Sequence, residues 1–383
     1  MSAAVSPRRL AGLALLALCG ALLASACFID GTGVGPSPDD PPAAAEAQPA
    51  ASAESAPRQG TAAGLAPEAR SDPAETTDAP ADASSPPEAQ PAAEPAPALH
   101  AAIFVEPREV RPGEVFVVAV DATNASAASV ALGGQFVSLA REGDRFYTIL
   151  PVAFAQPAGP LPIIVAVADM NGGLAVQQLI EVQVQAGEFP VEPVQLDPAL
   201  SRLLDPDVVA EDRAVRESVQ RVRSPERLWD GYFREPTQGV LTSTFGLLRS
   251  YNGADPTDYH SGLDFAAPRG TDVVAANAGV VAWTGETERR GRGVIIDHGH
   301  GVFSSYWHLA VVDATPGTPV APGTIIGRVG NTGLSTGSHL HWEITVYGVP
   351  VDPLPWLREL EVPDPLARFD PARAVNAGPA ASP

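Results

Sequence analysis

The sequence predicts a mainly β chain: a small β-sandwich, then a second antiparallel β-sheet domain, joined by a partly helical connector. Three observations lead there. Short runs of branched and aromatic residues recur over residues 101–187, separated by Pro112-Gly113, Gly133-Gly134, Gly143-Asp144 and Asn171-Gly172-Gly173 turn signals. Such runs, at that spacing, read as an Ig-like sandwich. A comparable glycine-punctuated texture returns over residues 229–360, after a stretch in which Leu203, Val208, Val215, Val219 and Val222 recur at roughly helical spacing. Residues 31–100, by contrast, hold 14 prolines, 11 acids and two arginines with almost no side chain able to build a core.

Taken in chain order, residues 1–27 read as an export signal. Arg8 and Arg9 precede the apolar run Leu10–Leu23, and the small residues Ala24-Ser25-Ala26 follow. Cys27 comes next, where bacterial lipoproteins carry their lipid-modified cysteine, and this segment resembles theirs. Residues 28–100 are expected to be a disordered Ala/Pro/acidic tether, because they cannot bury enough apolar surface to offset ordering. The sandwich strands are expected at Ile103–Val105, Glu114–Val120, Ser129–Leu132, Gln135–Leu139, Arg145–Val152, Leu161–Ala168 and Leu174–Val184. The connector, 188–228, should hold one or two helices with a solvated charged face, interrupted at Asp205-Pro206. Residues 361–383, again rich in Pro and Ala, should form a flexible tail.

Composition narrows the chemistry. Of 383 residues, 45 are acidic and 24 basic, for a net charge of −21, and all 24 basic residues are arginine. Without lysine there is no Schiff-base enzyme, Walker-type phosphate loop, Ser-Lys dyad or biotinyl or lipoyl carrier, since each needs an ε-amine. Two cysteines, Cys19 and Cys27, make neither a four-thiolate zinc site nor a disulfide framework. Acidity without basic clusters argues against nucleic acid as a partner.

Six of the seven histidines fall between His260 and His341. His260 and Asp264, four apart, would face one side of an extended strand. His339 and His341 would do the same, turning Leu340 into the core. A set rich in nitrogen, with oxygen and no sulfur, suits zinc, and three protein ligands would leave a position open for chemistry. His308, in Tyr306-Trp307-His308-Leu309, adds a nitrogen beyond what such a site needs.

The blocks His260–Asp264, Gly293–Gly299, Tyr306–Leu309 and Gly330–Ile344 resemble the lysostaphin-type zinc endopeptidases, which cut peptide bonds in bacterial cell-wall peptidoglycan. The resemblance covers about residues 229–357. It implies an antiparallel β-sheet peptidase domain with an open groove, Zn2+ as cofactor, and hydrolysis by metal-activated water. Carried onto this chain, it makes His260, Asp264 and His341 the metal ligands, with His308 and His339 the catalytic histidines that move the proton and hydrogen-bond the intermediate. It further implies peptidoglycan as substrate and a cell-envelope location, with the membrane as partner through a lipid on Cys27. Ser338 stands where the family often has Pro.

Other readings are weaker. Gly333-Leu334-Ser335-Thr336-Gly337 fits the nucleophile-elbow pattern but runs into a β-type segment rather than a helix. His298 and His300 are expected to be hydrogen-bonded loop residues, and Arg269, Arg289, Arg290 and Arg292 solvated ones. Tyr306, Trp307 and Trp342 should be core or groove wall, and Asn331 a groove contact. A silent relative that binds wall or regulates amidases would be expected to lack the ligand set. A carrier-type hammerhead domain would need a lysine.

Overall fold

The apolar run Val115-Phe116-Val117-Val118-Ala119-Val120 presents no polar face, and a strand built from it must be covered on both sides. In the computed structural model, which describes residues 99–357 and 373–376, strand Val115–Thr123 is covered in that way. Phe116, Val118 and Val120 enter the sandwich core with Ile103, Ile163, Val165 and Val182. Val115, Val117 and Ala119 point oppositely, into a second core that includes Leu263, Phe265, Tyr306 and Trp342. One sheet of the sandwich is therefore also a wall of the downstream domain. Each valine buried there contributes roughly 1.5–3 kcal/mol relative to an exposed one.

The sandwich consists of two five-stranded sheets. The first runs Val375–Asn376, His100–Glu106, Val115–Thr123, Arg145–Pro151, Ala140–Glu142. The second runs Glu109–Val110, Leu174–Val184, Gly159–Asp169, Ala125–Leu132, Gln135–Ser138. Leu174–Val184 shows the ordinary alternation, with Val176, Ile180, Val182 and Val184 inward and Gln177, Glu181 and Gln183 outward. Val375–Asn376, in the stretch expected to be a flexible tail, instead pair with Ile103 and Ala102. The edge of His100–Glu106 would otherwise present unpaired backbone groups. The export signal, Cys27 and nearly all of the tether lie outside the described residues.

The connector holds one short strand and is otherwise mainly helical. Val191–Val194 pairs in parallel with Leu248–Tyr251, which pairs antiparallel with Asp258–Tyr259. Asp205-Pro206, expected to interrupt a helix, starts one. The Asp205 carboxylate accepts from Asp207 N at 3.0 Å, and Pro206 stands at the first helical turn of Pro206–Gln220. The charged face is not wholly solvated, for Asp212 is 2% exposed. Among the described residues no helix is long and apolar enough to cross a membrane.

The second domain is built on an antiparallel sheet in the order Val240–Ser243, Leu263–Ala266, His339–Val346, Val302–Leu309, Gly291–Gly299, Gly279–Thr287, Pro319–Val320, with Val349–Val351 added on His339–Val346. Every residue of Val302–Leu309 is buried, so its position at the centre of the sheet fixes its neighbours.

Candidate metal centre

The pairing of Leu263–Ala266 with His339–Val346 sets Asp264 directly opposite His341, and Trp307 sits opposite His341 on the other side. Side chains on directly opposed residues share a face. With Leu340 fully buried, the period of two turns His339 and His341 together toward a cleft of about 130 Å³, as expected.

His260 arrives by a different route from the one expected. It is not on a strand with Asp264; Asp258–Tyr259 ends before it, and the chain bends through Ser261-Gly262 before Leu263 begins. Gly262 makes that bend fit. A Cβ there would run into the backbone carbonyl of Trp342, whose strand pairs with Leu263. That carbonyl cannot yield without opening the ladder holding Asp264 against His341. Gly262→Ala is therefore expected to cost about 1–3 kcal/mol of stability, the usual scale for overpacking. Chemical denaturation of the full chain, beside that of the wild type, checks it.

Three donor atoms converge. His260 Nε2 lies 2.9 Å from Asp264 Oδ1 and 2.9 Å from His341 Nδ1, and His341 Nδ1 lies 2.7 Å from Asp264 Oδ1. The three groups fit a metal ion by chemistry and convergence. The remaining ring nitrogens set the tautomers. His260 Nδ1 is 2.8 Å from Thr244 O, to which it can only donate, so Nε2 keeps its lone pair. His341 Nε2 faces Glu343 Oε1 at 3.3 Å, an ion contact without hydrogen-bond alignment. Two imidazole nitrogens and one carboxylate oxygen are the donor set zinc favours over magnesium or calcium. Burial drives the Asp264 carboxyl upward, but His260 and His341 outweigh it and hold the group well below its usual range. Burial likewise lowers His260, with Asp264 opposing.

The two other expected residues flank this triangle. His308, the penultimate residue of the central strand, has φ +63°, a left-handed conformation costly for a residue with a Cβ. Its Nδ1 lies 2.7 Å from Thr332 O, which leaves Nε2 as the free nitrogen. Burial, reinforced by His339 and His341, keeps the ring well below the ordinary histidine range, and so neutral near pH 7. The His339 ring stands 4.7 Å from that of His308, and its Nδ1 is 2.8 Å from Gly337 O. Ser335, the serine of the elbow-like pattern, lies 3.1 Å from the same Nδ1 and donates to Asn331 Oδ1 at 2.5 Å. Ser335 and Asn331 thus belong to the support of His339.

Several expectations are corrected. His298 is in strand Gly291–Gly299 rather than a loop. It is fully buried between Ala278 O at 2.6 Å and Ser304 Oγ at 2.7 Å, and burial pushes its pKa down to about 4. His300 does occupy a turn, packed edge-on against Tyr147. Arg289 and Arg290 are not solvated: their side chains are 15% and 13% exposed. Arg289 pairs with Asp258, and Arg290 reaches Glu343 at 2.9 Å. Tyr306, Trp307 and Trp342 are all core, with no exposed surface. Sequence reasoning missed Glu343, Arg249 and Arg290, which surround the ligands. Glu343, two residues after His341 on the same strand, had a signal in that spacing. The arginines had none.

Residues 258–353 match the family described as Peptidase family M23. The chain is 44% identical over 95 residues to the DD-carboxypeptidase/endopeptidase Mpg of Neisseria meningitidis, covering 25% of this chain and 22% of that protein. It is 42% identical over 112 residues to the peptidoglycan DD-endopeptidase ShyA of Vibrio cholerae, covering 29% and 26%. The match thus spans about a quarter of the length of these curated relatives. Among solved structures, a peptidase M23 from Pseudomonas aeruginosa is similar at 27% identity, covering 64% of this chain and 93% of that one, with a TM-score of 0.48.

Proposed function

We propose, from the match of residues 258–353 to Peptidase family M23, that the protein is a zinc-dependent endopeptidase hydrolysing peptide bonds in bacterial cell-wall peptidoglycan. The observation that carries the reading is the convergence of His260 Nε2, Asp264 Oδ1 and His341 Nδ1 within hydrogen-bond distance of one another. When bound, zinc supplies a Lewis acid for the scissile carbonyl and lowers the pKa of water. The chain's own groups do the rest. His308, neutral and with Nε2 free, takes a proton from the attacking water. His339, whose Nδ1 donates to Gly337 O beside Ser335, turns Nε2 toward the reacting centre and, in its imidazolium form, donates from it to the developing oxyanion. The cleft, lined also by Tyr251, Arg289 and Leu196, receives the peptide.

The relatives named as peptidoglycan endopeptidases support the substrate class. The complete ligand set speaks against a silent wall-binding relative. Export with a lipid on Cys27, tethering the enzyme at the membrane within reach of the wall, completes the proposal.

The test is metal analysis beside digestion of purified peptidoglycan. Zinc near one equivalent is expected, with chelation abolishing product release and zinc restoring it. Full activity in metal-free protein would sink the reading.

A further inference from the structure

Two acidic residues of the connector sit outside the family match yet reach the metal centre through one arginine each. The first is Asp212, in the helix Pro206–Gln220. Its carboxylate is buried, accepts from Thr287 Oγ1 at 2.7 Å, from Arg290 Nε at 3.2 Å and from Arg216 Nε at 3.1 Å. Arg290 continues to Glu343 Oε1 at 2.9 Å and to Ser261 Oγ at 3.2 Å, and Glu343 faces His341 Nε2. The second is Glu192, in the strand Val191–Val194, paired with Arg249. Arg249 Nη2 donates to Ser243 Oγ at 3.0 Å and lies 3.4 Å from Asp264 Oδ2, while Ser243 Oγ is 3.2 Å from His260 Nδ1.

Both lines run from a connector carboxylate, through an arginine, to groups in contact with a proposed metal ligand. The arginines need these partners. A buried guanidinium facing only the site would be uncompensated, and would be free to swing onto the carboxylates the metal needs. With Asp212 in place, Arg290 is shared between two carboxylates and Glu343 is held in position for His341. With Glu192 in place, Arg249 is fixed at the edge of Asp264, bonded to its second oxygen only, so Oδ1 stays available.

We propose that the connector is part of the metal centre, with Glu192 and Asp212 as positioning residues that set the orientation of Asp264 and His341 and hence the affinity for zinc. The proposal rests on the zinc-peptidase reading above. Outer partners of metal ligands are usually worth about 10–100-fold in affinity. The two lines end on different ligands of one donor set, whose atoms lie 2.7 Å apart, so removing both carboxylates should weaken binding beyond either single change.

The experiment is a zinc titration of the full chain against a chromophoric chelator, for wild type, Asp212→Asn, Asp212→Glu, Glu192→Gln and the Asp212→Asn/Glu192→Gln double variant. Circular dichroism first confirms that each protein is folded. The visible spectrum of the cobalt-substituted forms reports ligand geometry independently of turnover. Each single charge-removing variant should bind zinc about tenfold more weakly, the double variant more weakly than either, with altered cobalt bands, and Asp212→Glu should recover most of the loss. Glu192 is partly exposed, so Glu192→Gln decides the matter should Asp212→Asn not fold. Affinities within twofold of wild type, with unchanged cobalt bands, overturn the positioning role while leaving the peptidase reading intact. A wild type that binds no zinc takes down both.

Discussion

Replacing His341 with alanine is expected to remove zinc and hydrolysis together. Three protein donors converge here, and two do not define a tetrahedral site with an open position. Metal catalysis is worth several kcal/mol at the transition state, and at about 1.36 kcal/mol per decade the loss in turnover should reach about 10³-fold or more. The fold should survive. Glu343 keeps its 2.9 Å contact with Arg290 and its contact with Ser261, so no charge is left buried alone. Elemental analysis and release of fragments from purified wall, measured on one preparation, give the answer. Retained zinc with lost turnover would reassign His341 from ligand to proton handling.

His308→Ala should separate what His341→Ala removes at once. His308 contributes no atom to the converging triangle; its Nδ1 is committed to Thr332 O and its ring stands 6.0 Å, centroid to centroid, from that of His341. Zinc content should stay at the wild-type value. Turnover should fall by about 10²–10⁴-fold, the range for losing a positioned general base. Steady-state kinetics on a soluble cross-linked wall peptide, beside metal analysis, would show kcat reduced with KM little changed. If zinc leaves with the ring, His308 is a ligand and the assignment of roles is wrong.

The extent to which the sequence carried these conclusions follows from what a linear pattern can encode. His339 and His341 were legible because the strand period of two is local, and Leu340 between them reports which face is core. The strand at Val115–Val120 was legible in its apolar run, but the second core that covers its other face was not, because Leu263, Phe265, Tyr306 and Trp342 are remote in sequence. The approach of His260 was not legible from periodicity, since it depends on a bend at Gly262 whose partner, Trp342, is 80 positions away. The charge pairs were hidden for the same reason. Asp212 and Arg290 are separated by 78 residues, and a charged residue in a helix reads by default as solvated. Val375–Asn376 looked like a loose tail because two residues cannot display a period, and only the open edge beside Ala102 and Ile103 gives them a place.

The left-handed backbone at His308 bears on anyone who would engineer this protein for durability while keeping the proposed activity. Positive-φ residues other than glycine are the usual targets for repair, because replacing them with Gly or Asn relieves a cost of about 1–3 kcal/mol. At position 308 that conformation is what takes the ring out of the strand and delivers it beside His339 and His341. A stability-driven redesign that ranks substitutions by backbone comfort would choose this position early and return a sturdier, inert protein. Position 308 should therefore be frozen before any such campaign begins, along with Thr332, whose carbonyl holds the ring once the backbone has placed it.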